Sequence, residues 1–222
     1  MILAPHADDE TIGCGGVIQK YLSNGSEVRI VIASFVRNKY QKYKKDIQQY
    51  EDYSGSVRIK EMKRAFEILG ITDYHIMYWD SSENTRYHSK LDNIPRFDLV
   101  QNIEGHIQNF NPTIIYIPSI TKHQDHEYLH SAAITATRPY FWNGSVITYE
   151  TDGEFYFQPN LFVQLTEEEA NKKAQALGAY QTQLGSEKHP VNSSFSLTKA
   201  KYRGQSIYVD YAEAFQIVRL HG

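Results

Sequence analysis

One imidazole and three carboxylates crowd into five residues near the start of the chain, His6-Ala7-Asp8-Asp9-Glu10. They follow directly on the apolar run Met1-Ile2-Leu3-Ala4, after Pro5. Charge that dense beside a buried strand is costly unless a cation offsets it. A divalent metal is the simplest such cation. His123-Gln124-Asp125-His126 repeats the chemistry far downstream, after the apolar run at 113–118. If the two runs are adjacent strands, both clusters fall just past strand ends and converge on one mononuclear site. Two histidines and one aspartate make a known kind of catalytic zinc set, with positions left for water and substrate. Cys14, the single cysteine, lies on the wrong stretch to contribute and can form no disulfide within the chain.

The elements that must position these clusters are legible as alternating patterns. Strand-like runs recur at 2–4, 28–35, 75–78, 113–118 and 146–149, and the second and fourth are nearly continuous Ile/Val-rich stretches. Such runs suit strands buried on both faces of a parallel sheet. Helical spacing recurs over 11–22, over 57–69 and after Pro95, and Thr166-x-x-Glu169 predicts a capping box on a helix running to about 183. The alternation predicts a single-domain α/β fold over 1–222, Rossmann-like and doubly wound, with a mostly parallel sheet. Weaker patterning over 146–165 predicts β-hairpin material at an edge. The polar, Lys- and Tyr-rich segment 37–56 reads as an excursion after the second strand, either a ligand-side loop or a solvated helix.

Composition narrows the function classes. Of 222 residues, 41% are hydrophobic and 22% charged, which is globular rather than disordered. A net charge of −3 gives no basic excess for nucleic acid. No apolar run approaches the ~20 residues of a membrane helix, and no signal peptide is evident. The chain therefore reads as cytoplasmic, with no nucleic-acid and no membrane partner. Gly13-x-Gly15-Gly16 admits two readings: a phosphate-cradling turn, or glycines that let a helix approach the sheet closely. Three carboxylates just before it would repel a diphosphate, which favours packing.

At these motifs the chain resembles the PIG-L/LmbE-like family of metal-dependent N-acetyl deacetylases. Pro5-His6-Ala7-Asp8-Asp9-Glu10 is similar to the family's A/P-H-P-D-D-E, with Ala7 in place of the usual Pro, a change that removes no ligand. His123-Gln124-Asp125-His126 matches its H-x-D-H. Arg58, Glu61, Ala65, Leu69 and Gly70 resemble its R-x-x-E-x-x-x-A-x-x-x-L-G helix, Tyr180-Gln181-Thr182-Gln183 its Y-x-S-Q, and Ala212-Glu213-Ala214-Phe215 its A-E-x-F.

The resemblance implies that His6, Asp9 and His126 bind Zn2+, with Fe2+ or another divalent ion as alternatives. It implies Asp8 as general base, His123 as oxyanion stabiliser with Asp125 orienting it, and Arg58 and Asp80 as holders of a sugar. The implied substrate is a small N-acetylated sugar or sugar conjugate, and a homo-oligomer is compatible with the family. Trp79, Tyr87, Trp142 and Tyr149 are candidate stacking surfaces for a sugar ring. Two other readings stand beside this one: a nucleotide-dependent transferase using the glycine-rich turn, and a sugar-binding protein with a vestigial site.

Overall fold

The computed structural model of the protein describes residues 1–35, 40–44, 49–53, 55–79, 90–151, 157–184 and 191–222. Along them run β1 (Ile2–Ala4), α1 (Asp9–Ser23), β2 (Arg29–Phe35), β3 (Tyr40–Lys44), β4 (Gln49–Tyr53), α2 (Gly55–Leu69) and β5 (Asp73–Trp79). There follow α3 (Arg96–Phe110), β6 (Ile114–Pro118), α4 (Gln124–Ala136), β7 (Ser145–Tyr149), β8 (Leu161–Leu165), α5 (Glu167–Leu177), α6 (Ser193–Gln205) and β9 (Tyr211–Arg219).

The main sheet has the order β5-β2-β1-β6-β7-β9-β8. From β5 through to β7 every pairing is parallel, and β9 enters antiparallel between β7 and β8. The chain builds outward from β1 to β2 and β5, then returns to lay β6 on the other side of β1. The crevice at that reversal, at the carboxyl ends of β1 and β6, is where open α/β sheets bind ligands.

Alternation along each central strand feeds two cores. Ile2, Ile30, Ile32 and Tyr116 face α1, α2 and α5 through Ile18, Met62, Phe66 and Leu177. Leu3, Val31, Ala33, Ile115 and Ile117 face α3 and α4 through Leu99, Ile103, Leu129 and Ala133. Burial on both faces is why these strands carry continuous apolar runs.

The sequence reading is right about the α/β architecture and differs from the structure at three places. The antiparallel edge is not a local hairpin over 146–165, because β8 pairs with β9 and not with β7. The C-terminal strand supplies the intervening partner, a long-range choice that local pattern does not encode. The 37–56 excursion contains a two-stranded antiparallel hairpin of its own, β3 with β4. The helix expected to reach about 183 has its capping box, Thr166 with Glu169, but stops at Leu177 before Gly178. Among the described residues no helix is long and apolar enough to cross a membrane.

The glycine-rich stretch lies inside α1, and its missing side chains are filled by neighbours. A Cβ on Gly13 would stand 2.1 Å from Cδ2 of Tyr149, and one on Gly16 2.5 Å from Cδ2 of Leu165. The Glu213 carboxylate comes close enough to accept the N–H groups of Gly16 and Val17, each at 2.7 Å, and Nζ of Lys173, also at 2.7 Å. Close packing is therefore the use of these glycines. Gly13→Ala must displace a fully buried ring, so urea unfolding is expected to show a loss of about 1–3 kcal/mol with an unchanged m value. An unaltered midpoint would mean that Tyr149 yields freely.

Candidate metal centre

Pro5 fixes the exit from β1, its carbonyl accepting the Ser34 N–H at 3.1 Å. The next residue is His6, and α1 begins at Asp9. The positive end of the helix dipole thus favours the carboxylates of Asp9 and Glu10. On the neighbouring strand, β6 ends at Pro118 and the chain reaches His123, the N-cap of α4, whose Nδ1 accepts the Asp125 N–H at 3.2 Å. The first turn of α4 then presents Asp125 and His126.

These two strand ends meet. Nδ1 of His6 lies 3.4 Å from Oδ2 of Asp9, and Nε2 of His126 lies 3.5 Å from the same oxygen. One ligand atom from each of His6, Asp9 and His126 falls within 4.8 Å of the others, and all three residues are buried. The outer nitrogen of each ring is already engaged. Nε2 of His6 donates to Oδ2 of Asp125 at 2.8 Å, and Asp125 also accepts the Leu91 N–H at 2.9 Å. Nδ1 of His126 lies 3.4 Å from the Thr151 hydroxyl, which pairs with Ser119 at 2.9 Å. Imidazoles tied at one nitrogen and turned inward at the other are the arrangement in which histidine holds a metal. The donor set fits a divalent cation.

A proton fills that role when no cation does. Burial works against a charged His6, but its bonds to Asp125 and Asp9 outweigh burial and raise its pKa to about 10. Burial likewise opposes the Asp9 charge, yet His126 and His6 hold that carboxyl down to about 2. Asp8 goes the other way: burial, then the Asp9 charge, pushes it up to about 8 against the pull of Arg58.

The remaining expected residues divide. Asp8 has φ 133° and ψ −30°, a conformation that costs an L residue on the order of 1–3 kcal/mol. His123 stands half-buried beside the cluster, its ring centroid 4.9 Å from that of His6 and 5.2 Å from that of His126. Burial, then the neighbouring His6 and His126, lowers its pKa, so neutral His123 accepts at Nδ1 and carries its proton on Nε2. The carboxylate of Asp125 bonds His6, and its backbone N–H donates to Nδ1 of His123, so Asp125 touches both rings. Arg58 is 3% exposed and donates from Nη2 to the Ala7 carbonyl at 2.9 Å. Its Nη1 lies 3.6 Å from Glu61 Oε2 and makes no hydrogen bond among the described residues.

Asp80 and Tyr87 lie outside the described residues. Two other aromatics are core and not sugar platforms: Tyr149 is fully buried, its hydroxyl on Leu3 O, and Trp142 donates to Pro112 O. Sequence reasoning missed Thr151 and Ser119 altogether. Two hydroxyl residues far from either motif carry no signal until β6 and β7 are paired.

Residues 1–137 match the PIG-L family, described as GlcNAc-PI de-N-acetylase. The chain belongs to this family. A relative from Bacillus cereus, a probable N-acetyl-alpha-D-glucosaminyl L-malate deacetylase 2, is 27% identical over 139 residues. That match spans 61% of this chain and 59% of the relative. A conserved protein from Thermus thermophilus shares the fold at a TM-score of 0.76 and 19% identity, over 100% of this chain and 94% of that one. The N,N'-diacetylchitobiose deacetylase of Pyrococcus horikoshii does so at 0.73 and 22%, over 98% and 82%. Both charged stretches, His6–Asp9 and His123–His126, fall within the matched residues.

The protonated His6 of the metal-free protein has a measurable consequence. A cation needs the neutral ring, so binding at pH 7.5 is expected to release about one proton from His6 and part of another from Asp8, whose carboxyl a nearby cation ionises, and affinity to rise about tenfold per pH unit between pH 8 and 10. Asp9 is already ionised and adds none. Zinc titration calorimetry in buffers of differing ionisation enthalpy reads the count, and zero release would refute the assignment of His6. Asp125→Asn is expected to weaken zinc binding by about 10–100-fold.

Proposed function

We propose that the protein is a metal-dependent hydrolase that removes the acetyl group from an N-acetylated amino sugar or sugar conjugate. The observation that carries this reading is the buried His6–Asp9–His126 cluster with a second, non-ligating carboxylate, Asp8, in the adjoining position. Deacetylases among the relatives support the class of reaction. Zn2+ is the proposed ion, held by His6, Asp9 and His126, with Fe2+ as the alternative. When bound, a divalent ion lowers the pKa of water and polarises an acyl oxygen.

The chain's own residues supply the rest. Consecutive carboxylates diverge at the Asp8–Asp9 turn, so Asp9 can face the cation while Asp8 faces the attacking water. Asp8 accepts the water's proton as the C–O bond forms. His123, neutral, donates Nε2–H to the developing oxyanion, a contribution of about 3 kcal/mol for one well-placed donor. The amine leaves with the proton that Asp8 collected. His123 is half-buried and open to a substrate on its exposed side, while Asp125, fully buried, holds His6 and accepts the Leu91 N–H.

The transferase reading has no physical support, since the glycines it would use are packed against Tyr149, Lys173 and Leu165. A vestigial sugar-binding site would not need the base, the donor and three convergent ligands together.

Metal content and amine release from N-acetylglucosamine derivatives test the proposal. The wild type is expected to carry about one divalent ion per chain, lost in His126→Ala. Asp8→Ala is expected to keep the ion and lose turnover by about 10²–10⁴-fold. Full turnover in Asp8→Ala would remove Asp8 as base, and a wild type that takes up neither zinc nor anaerobic ferrous iron would sink the hydrolase.

A further inference from the structure

The peptide group joining Ala7 to Asp8 is held from both sides. Its carbonyl accepts Nη2 of Arg58 at 2.9 Å, and its N–H donates to Oε2 of Glu10 at 3.1 Å. Glu10 is itself anchored: Oε1 accepts the Thr11 hydroxyl at 2.7 Å and the Tyr180 hydroxyl at 3.0 Å. The guanidinium of Arg58 lies over the Tyr180 ring, 5.7 Å from its centroid. Arg58, Glu10 and Tyr180 are 3%, 0% and 0% exposed. Three segments distant in sequence thus commit buried polar groups to one peptide plane.

That plane precedes the strained residue. Among the described residues, the other non-glycines with positive φ are Asn111 at 49° and Tyr208 at 59°, within the ordinary left-handed region. Asp8, at 133°, is outside it. A peptide is rigid, so gripping its C=O and its N–H fixes its orientation, and φ of Asp8 then decides where the Asp8 carboxylate points. Released, Asp8 would relax towards negative φ and swing its side chain away from Asp9 and His6.

We propose that Arg58, Glu10 and Tyr180 are positioning residues that clamp the Ala7–Asp8 peptide and so aim the Asp8 carboxylate at the reacting water. This deepens the hydrolase reading and rests on Asp8 being its base. It also gives Arg58 a task within the chain, beside any contact of Nη1 with substrate.

Tyr180→Phe removes a single hydroxyl and keeps the ring. Glu10→Ala removes the acceptor, and Glu10→Gln restores an oxygen. Amide hydrogen exchange on the metal-free protein, zinc affinity by chelator competition, and kcat with KM are measured for each. In Tyr180→Phe and Glu10→Ala the Asp8 N–H is expected to exchange at least about tenfold faster, while amides within α3 do not change. Zinc affinity is expected to stay within about threefold, and kcat to fall about 100-fold at nearly constant KM, as for a misplaced catalytic group. Glu10→Gln recovers most of that loss.

Unchanged Asp8 exchange in Tyr180→Phe overturns the clamp, and that variant decides the matter if Glu10→Ala does not fold. A kcat loss that merely follows zinc affinity or folded fraction overturns the aiming role. If the wild type cleaves no N-acetylated sugar, the hydrolase reading fails, and the exchange measurement still decides whether the peptide is clamped.

Discussion

The 2.8 Å bond between Nε2 of His6 and Oδ2 of Asp125 joins the end of β1 to the head of α4. On one side of it stands the motif that follows the first strand, and on the other the motif that follows the sixth. Each candidate donor group draws on both halves. The bond forms because β1 and β6 are neighbours, and they are neighbours because the sheet reverses its direction of growth between them. Once made, it turns the other nitrogen of His6 towards Asp9. The Thr151 hydroxyl, just past the end of β7, engages the outer nitrogen of His126 in the same way.

A second constraint follows from the first. A site this buried must pair the carboxylates it encloses, because an unpaired one would cost several kcal/mol. Glu10 is met by Thr11 and Tyr180, Glu61 by the N–H and hydroxyl of Thr182 at 2.7 and 2.6 Å, and Glu213 by Lys173 and two α1 amides. Tyr180, Thr182, Lys173 and Glu213 all lie beyond the residues that match the family. The N-terminal part of the chain carries the proposed reactive groups, and the C-terminal part fastens Glu10 and Glu61 beside them. α5 ends at Leu177, and the chain just beyond it brings Tyr180 and Thr182 inward. The weak Tyr180–Gln183 and Ala212–Phe215 resemblances thereby acquire a physical reason.

The sequence by itself determined the parts whose signal is local or periodic. Continuous apolar runs marked β1, β2 and β6, helical spacing marked α1, α2 and α3, and dense charge after two strands marked His6, Asp8, Asp9, His123, Asp125 and His126. The tertiary structure alone decided the pairings. It placed β9 between β7 and β8, bonded the Asp125 carboxylate to His6, and pressed Arg58 onto the Ala7 carbonyl. It also enlisted Ser119 and Thr151, which no motif marks. The division has one cause. A strand or helix is specified by neighbours a few residues away, whereas the partner of a buried polar group is chosen by which strand ends the folded sheet brings side by side.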